Sequence, residues 1–509
     1  MEGDYNVLST DEAVKSMDHF EINKVMDEYK NPVTHNNKFR YYYKNFVLFG
    51  FSVTFSFAAV YSSSNLLTTL AGKTLGFVSL AVFSFVGFTA TCMSPALVRS
   101  FGMMRILVVA NFSYVLFVAG QFYMSYFILI PAAVFYGLAA SMYWISGITY
   151  VNKLAINYAN EYNVSPEKMM SFANGIVMTS YAGGMLLGNV MSSSILLPSG
   201  LDEQSVAVGN ESCNLEQNTD HIDPYNKYLM ILRGVLLLCA LIAFTIVILF
   251  LDHIKGENTK EHQLNSVCTK LLLELQNSGM ELLNIVRKRG YILFCFPLSI
   301  SSSMVEAFTI GSFPKEYVSA CFGVHMVGYT TMVYALFTAI SSFLTGKIYL
   351  AYFPRYVVAI FTTLITLSLA IFLVIWERQP SYVFVFTFIA VWGIVAGQWI
   401  TLAPSYIGHM LPDNLEIAYM LHTILFLMGY FINFVSGIIL DVQGMQYLII
   451  VSLVVCLPLY LLAEWMHKSF KADNIELERT DTTVEQTDND FILLYIYNNE
   501  RCVYYETTI

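Results

Sequence analysis

The sequence predicts an all-α membrane protein, with twelve transmembrane helices arranged as two six-helix halves. Twelve apolar runs each have about the length that crosses a bilayer, roughly 20 residues at 1.5 Å per residue for ~30 Å of hydrocarbon. A polar break at 252–290 divides them six and six. The composition is 56% hydrophobic and 13% charged, whereas soluble domains hold roughly 45–50% and ~25%. That much charge cannot clothe a water-soluble particle of 509 residues. Lipid therefore solvates the outside.

Residues 1–45 are polar and lack the apolar core of a cleavable signal peptide, so the first span, 46–66, is expected to serve as its own insertion signal. The remaining spans of the first half fall at 75–98, 106–122, 127–150, 172–197 and 228–251. Those of the second half fall at 291–311, 324–349, 356–376, 383–404, 417–440 and 447–466. The predicted units are an N-terminal tail (1–45), a first half (46–251), a link (252–290), a second half (291–467) and an acidic tail (468–509). Within the link, Leu271, Leu275, Leu282 and Val286 share one helical face, with Glu274, Glu281 and Arg287 interspersed. That pattern predicts an amphipathic helix on the cytosolic membrane surface.

Lys and Arg set the orientation. With a cytosolic N-terminus, 22 of the 27 basic residues fall in inward segments and four (Lys73, Lys227, Lys315, Arg378) in outward ones, Arg233 sitting just inside span six. Both termini and the link are thus expected in the cytosol. The net charge of −10 lies mostly in the tails and in the exterior loop after span five. No basic cluster suits nucleic acid.

The eight cysteines show no Cys-x-x-Cys or Cys/His spacing, so neither a metal site nor a cofactor is expected. Cys213 and Cys321 fall on the oxidising side, as a disulfide or as two separate thiols. Asn210-Glu-Ser212 is a glycosylation sequon in the longest exterior loop. The sequons at Asn111 and Asn163 lie in a span and on the cytosolic side, where no glycan is added.

Polar residues inside spans are the candidates for chemistry. Glu306, about 15 residues into span seven, is expected in the outer half of the bilayer. It reads either as a proton or cation site or as a neutral acid stabilising packing near Lys315. His422 in span eleven and Asn189 in span five join it as a candidate ion, proton or structural polar site. Gly183, Gly184 and Gly188 permit close helix approach or a hinge, and Gly183 is expected to face the central cavity. The terminal Glu506-Thr507-Thr508-Ile509 fits a ligand of PDZ domains through Thr507 and Ile509, and Tyr5-Asn-Val-Leu8 fits an endocytic signal. No nucleophile elbow, phosphate loop or metal-binding histidine pair is present, so an enzyme is not expected.

Six spans, a cytosolic break and six spans resemble the layout of the major facilitator superfamily. Within it, several stretches resemble the UNC-93 family. These are Gly137 to Tyr150 with Trp144 and Thr149, then Gly188-Asn189 with Ser192-Ser193, then Glu306-Ala-Phe308 and Phe313-Pro-Lys315-Glu-Tyr317-Val318. Val327-Gly328-Tyr329, Gly346-Lys347, Trp392-Gly393 and Trp399-Ile-Thr401 follow in order. One departure stands in the turn after span two, where Arg99 occupies the acidic position of the facilitator gate motif. The family includes a regulator of a potassium channel and chaperones of membrane receptors. The resemblance implies a multi-pass protein of the plasma membrane or endosomes that regulates or escorts another membrane protein, such as an ion channel. The alternative is a secondary transporter of a small solute or ion.

Overall fold

The computed structural model describes residues 32–164, 166–197, 226–254, 287–346, 352–376, 381–411 and 415–469, with scattered positions between 273 and 285. The first half holds α1 (Pro32–Leu70), α2 (Lys73–Phe101), α3 (Met103–Gly120), α4 (Tyr126–Tyr162), α5 (Pro166–Leu196) and α6 (Lys227–Thr245, widened into a π-turn over Ile246–Phe250). The second half opens with α7, a composite helix. It starts as a 3-10 turn (Gly290–Cys295), runs as α-helix through Phe296–Phe313, widens at Pro314–Ser319 and closes with Ala320–Phe322. There follow α8 (His325–Leu344), α9 (Arg355–Ile375), α10 (Tyr382–Met410), α11 (Leu415–Ile439) and α12 (Val442–Ser469).

Among the described residues eleven helices are long and apolar enough to cross a membrane, and α5 is the twelfth. Four glycines, Asn189 and the serines at 192, 193 and 194 dilute its hydropathy. Several helices overrun their apolar cores. At the predicted inner end, α1 and α4 continue together because Tyr42, Tyr158 and Tyr162 pack edge-on and stacked against one another. Tyrosine rings suit a membrane–water boundary. The predicted end of span seven at residue 311 is too early. Pro314 has no N–H for an i→i−4 bond, yet the chain absorbs it by widening the turn rather than stopping. Lys315 and Glu316 are consequently buried instead of lying in an exterior loop. Gly323, at φ +91°, then ends the helix.

Packing repeats across the two halves. In the first, α1 packs on α5, and α2 and α3 on α4; in the second, α7 packs on α11, and α8 and α9 on α10. The halves meet where α2 packs on α11 and α5 on α8. Adding six helices to one seam yields the other, as an internal twofold requires. The twofold reaches individual residues. A Cβ on Gly137 of α4 would meet the Phe83 carbonyl oxygen at 2.5 Å and Val86 at 2.9 Å, and one on Gly393 of α10 would meet the Tyr334 carbonyl oxygen at 2.7 Å and Phe337 at 3.2 Å. Only glycine lets these backbones come so close. The residues that carry the amphipathic pattern of the link (Leu271, Leu275, Leu282, Val286) lie outside the described residues.

Candidate functional site

Glu306 sits at the middle of α7, because the helix continues to Phe322. Its carboxylate is 7% exposed and accepts a hydrogen bond from Tyr430 of α11. Tyr61 of α1, Tyr181 of α5 and Tyr334 of α8 also stand close enough to feel its charge. Trp144 of α4 packs on Tyr181 and on Phe57, with ring centroids 5.6 and 5.4 Å apart. Across the site, Trp392 of α10 donates its indole N–H to Thr309, one turn from Glu306, at 2.7 Å. One carboxylate is thus enclosed by aromatic side chains drawn from both halves.

The other two candidates fall into place around this centre. His422 begins a ladder of rings on one face of α11, His422–Phe426–Tyr430–Phe434, each packed on the next. It lies eight residues, about 12 Å, inward of Tyr430, so it borders the approach to Glu306 rather than touching it. Asn189 accepts a bond from Asn65 Nδ2 at 3.4 Å and donates to the Met185 carbonyl at 2.7 Å. Asn210, Cys213, Thr507 and Ile509 lie outside the described residues. Cys321 is disulfide-bonded, and its partner also falls outside them. Among the described residues no group of three or more His, Cys, Asp or Glu could hold a metal.

The halves are sealed at the predicted outer end. Thr68 of α1 donates to the Gly311 carbonyl of α7 at 2.7 Å, and Ser193 of α5 donates to the His325 carbonyl of α8 at 2.9 Å. Gly437 of α11 receives the Phe77 ring of α2, and Gly328 of α8 sits against Ser193 and Asn189. Met178, Met185 and Ser192 share one face of α5 at seven-residue spacing, and their exposure runs 46%, 3% and 1%, so burial on this face increases towards the outer end. Gly183 does not face the centre. Nothing lies near its missing Cβ, and it shares a stripe with exposed Phe172 and Val190 on the outside of the bundle. Gly184 and Gly188 are the glycines that seat α5 on α1.

A second polar cluster lies at the inner end of the first half. Asn45, buried on α1, donates to the Tyr41 carbonyl at 2.9 Å and to Asp252 Oδ2 at 3.1 Å. Its own carbonyl oxygen accepts from the Asp252 N–H at 2.9 Å and from Tyr150 of α4 at 3.1 Å. Lys44 pairs with Asp252. Burial pushes the Asp252 carboxyl up, but the bonds from Lys44 and Asn45 and the Lys44 charge outweigh it and hold the group below the usual carboxylate range. This latch ties α1, α4 and the exit of α6 together where the link begins.

Tyr61, Tyr181, Tyr334 and Tyr430 went unmarked in the sequence because tyrosines in an apolar run look like ordinary core. The seven-residue recurrence that the sequence does carry, Tyr136-Gly137, Tyr143 and Tyr150 and again Trp392-Gly393, Trp399 and Tyr406, marks the twofold-related α4 and α10 and not these four tyrosines.

Twelve helices in two twofold-related halves, meeting around a buried carboxylate, make this a multi-pass membrane protein of the major facilitator fold. A crystal structure of a D-xylose–proton symporter superposes with a TM-score of 0.58 at 13% identity, covering 84% of this chain and 97% of that one. Protein unc-93 homolog A of Xenopus laevis is 23% identical over 463 residues, 88% of this chain and 97% of that protein; the Bos taurus homolog is 26% identical over 447 residues, 84% and 94%. A Caenorhabditis elegans protein named "Putative potassium channel regulatory protein unc-93" is 25% identical over 369 residues, 68% of this chain and 50% of its own length. No family model matches the chain. Within the facilitator fold, the chain is UNC-93-like.

Proposed function

We propose that the chain regulates or escorts another membrane protein, in the first instance an ion channel of the potassium-selective class, and does not turn over a substrate. The observation that carries this is the likeness to UNC-93 proteins along most of the chain, among them a nematode protein named for potassium channel regulation. Arg99 in place of the acidic gate residue supports it, since the usual charge pairing of the facilitator turn is absent from this sequence. The alternative, a secondary transporter of a small solute or ion, draws on the symporter-like fold and on the buried carboxylate of Glu306 between the halves.

In this reading both termini and the link are cytosolic. The distribution of Lys and Arg supports that orientation, and so does the disulfide at Cys321, which belongs on an oxidising side. Cys213 is its proposed partner, Asn210 the glycan site, and the plasma membrane or endosomes the compartment. The C-terminal Thr507 and Ile509 would engage a PDZ domain.

The test pairs affinity isolation and channel recording with solute flux in liposomes, using wild type and a plugged variant, Tyr181→Trp. The expected result is channel association and modulation by both proteins and flux by neither. Robust flux by the wild type, lost on plugging while the protein stays folded, would promote the transporter.

A further inference from the structure

We propose that the Glu306 centre, with the tyrosines and tryptophan packed about it, is a binding site for a small organic monocation, a protonated amine or a quaternary ammonium. This goes beyond a regulatory role and is testable without any partner.

The first argument is charge. Glu306 receives one hydrogen bond, from Tyr430, and no Lys, Arg or His side chain pairs with it among the described residues. Lys315 is nine residues along the same helix, roughly 13 Å away. A carboxylate at the middle of a membrane-spanning helix is expensive when ionised and unpaired, so it takes up a counter-cation or a proton.

The second is the wall. Tyr61, Tyr181 and Tyr334 stand close enough to the carboxylate to feel its charge, Tyr430 donates to it, and Trp144 packs on Tyr181. Aromatic rings attract cations, and a cluster of them beside a carboxylate suits an ammonium group without demanding directional ligands. A divalent metal would instead need several oxygen or nitrogen ligands, and a single carboxylate among rings does not supply them.

The third is an unused polar group. The Tyr61 hydroxyl is buried, interacts electrostatically with both Glu306 and Tyr430, and has no hydrogen-bond partner. A buried hydroxyl left unmade is costly. A protonated amine held by Glu306 could donate to it, which would satisfy the tyrosine and fix the ligand on the first half.

The experiment uses the full-length protein in lipid nanodiscs, titrated with tetramethylammonium chloride and, in separate arms, ethylammonium chloride, potassium chloride and sodium chloride at matched ionic strength. Thermal midpoint and tryptophan fluorescence report binding, because a ligand that binds only the folded state raises the midpoint as it saturates. At least one ammonium salt should give a saturable rise, and the two alkali chlorides none. Glu306→Gln should weaken the ammonium effect roughly tenfold or more, and Trp144→Ala or Tyr181→Ala severalfold. The proposal is overturned if neither ammonium salt saturates, or if Glu306→Gln binds as well as wild type. It is equally overturned if potassium or sodium alone produces the saturable response, which would assign the centre to an inorganic ion. Should Glu306→Gln not fold, the two aromatic variants decide: undiminished ammonium binding in both would sink the proposal.

Discussion

Replacing Gly328 with alanine should open the outer seal. A Cβ at this position would stand 2.1 Å from Ser193 Oγ and 2.6 Å from the Asn189 carbonyl oxygen. The serine hydroxyl can rotate away, at the expense of its 2.9 Å bond to the His325 carbonyl. The Asn189 carbonyl belongs to helix backbone and cannot. Restoring an ordinary 3.4 Å contact to it requires α8 to retreat by roughly 0.8 Å. Overpacking of this kind costs ~1–3 kcal/mol, and the lost hydroxyl bond adds about 0.5–1.5 kcal/mol. The sealed arrangement should therefore weaken by ~2–4 kcal/mol, roughly 30- to 1,000-fold in population. The assay places a cysteine at Thr68, which is buried in the same seal, and follows its labelling from outside by a membrane-impermeant maleimide. Thr68→Cys should label slowly by itself and at least tenfold faster with Gly328→Ala. Gly183→Ala, where a Cβ meets nothing, is the reference. If Gly328→Ala matched Gly183→Ala in both labelling and thermal midpoint, the close-packed seam would not be what holds the outer end shut.

Asn45→Ala should lower stability by about 1–3 kcal/mol, because it strips partners from the Asp252 N–H and from Tyr150 at once; thermal unfolding in detergent checks this. The Asp252 carboxyl is held low in the fold, so its contribution is complete above the unfolded value of ~3.9 and disappears as pH falls through the folded one. Stability should thus fall away more steeply below about pH 4 in wild type than in Asp252→Asn, and parallel acid limbs would dismiss the latch. For the disulfide, a protease site placed in the link at Lys260 should yield two halves that stay joined on a non-reducing gel and part on reduction. With Cys213→Ser they should part without reductant, and unchanged joining would assign Cys321 another partner.

Most of the architecture was legible because the bilayer constrains it so strongly. A span must be apolar and about 20 residues long, and that alone separates twelve helices and two halves. What was not legible is whatever depends on rotation about the helix axis or on the neighbour across a seam. Gly183 and Gly184 are adjacent, yet one faces away from the bundle and the other seats α5 against Thr54 and Phe57. Only packed coordinates distinguish them. Lys315 and Glu316 read as the end of a span because charge is expensive in lipid, but the folded bundle buries both. Glu306 was conspicuous as a charge, whereas its tyrosines were not, since a ring with one hydroxyl is as much core as site until the facing helix is known.

The twofold that governs packing is broken by chemistry, and the break lies at the site. Gly188 of α5 is pressed onto the Ala58 carbonyl of α1, and Gly429 of α11 onto the Ile300 carbonyl of α7, so these contacts set a common register. Six residues beyond Ala58 stands Ser64; six beyond Ile300 stands Glu306. One residue beyond each glycine stands Asn189 in the first half and Tyr430 in the second, and seven before them stand Tyr181 and His422. The Ser64 and Asn189 positions are therefore the counterparts of Glu306 and Tyr430: the first half is neutral at the centre, and the second carries the charge. Any occupant held by Glu306 must lean on the uncharged wall of the other half, chiefly Tyr61 and Tyr181. Were the angle between the halves to change, the distance between charge and wall would change with it, so such an occupant would bind one arrangement more tightly than another and shift the balance between them by that difference. A partner that reads the outer surface reads the same angle. Linkage then requires each to alter the other's affinity by the same factor, which gives a facilitator fold a way to regulate a neighbour without carrying anything across the membrane.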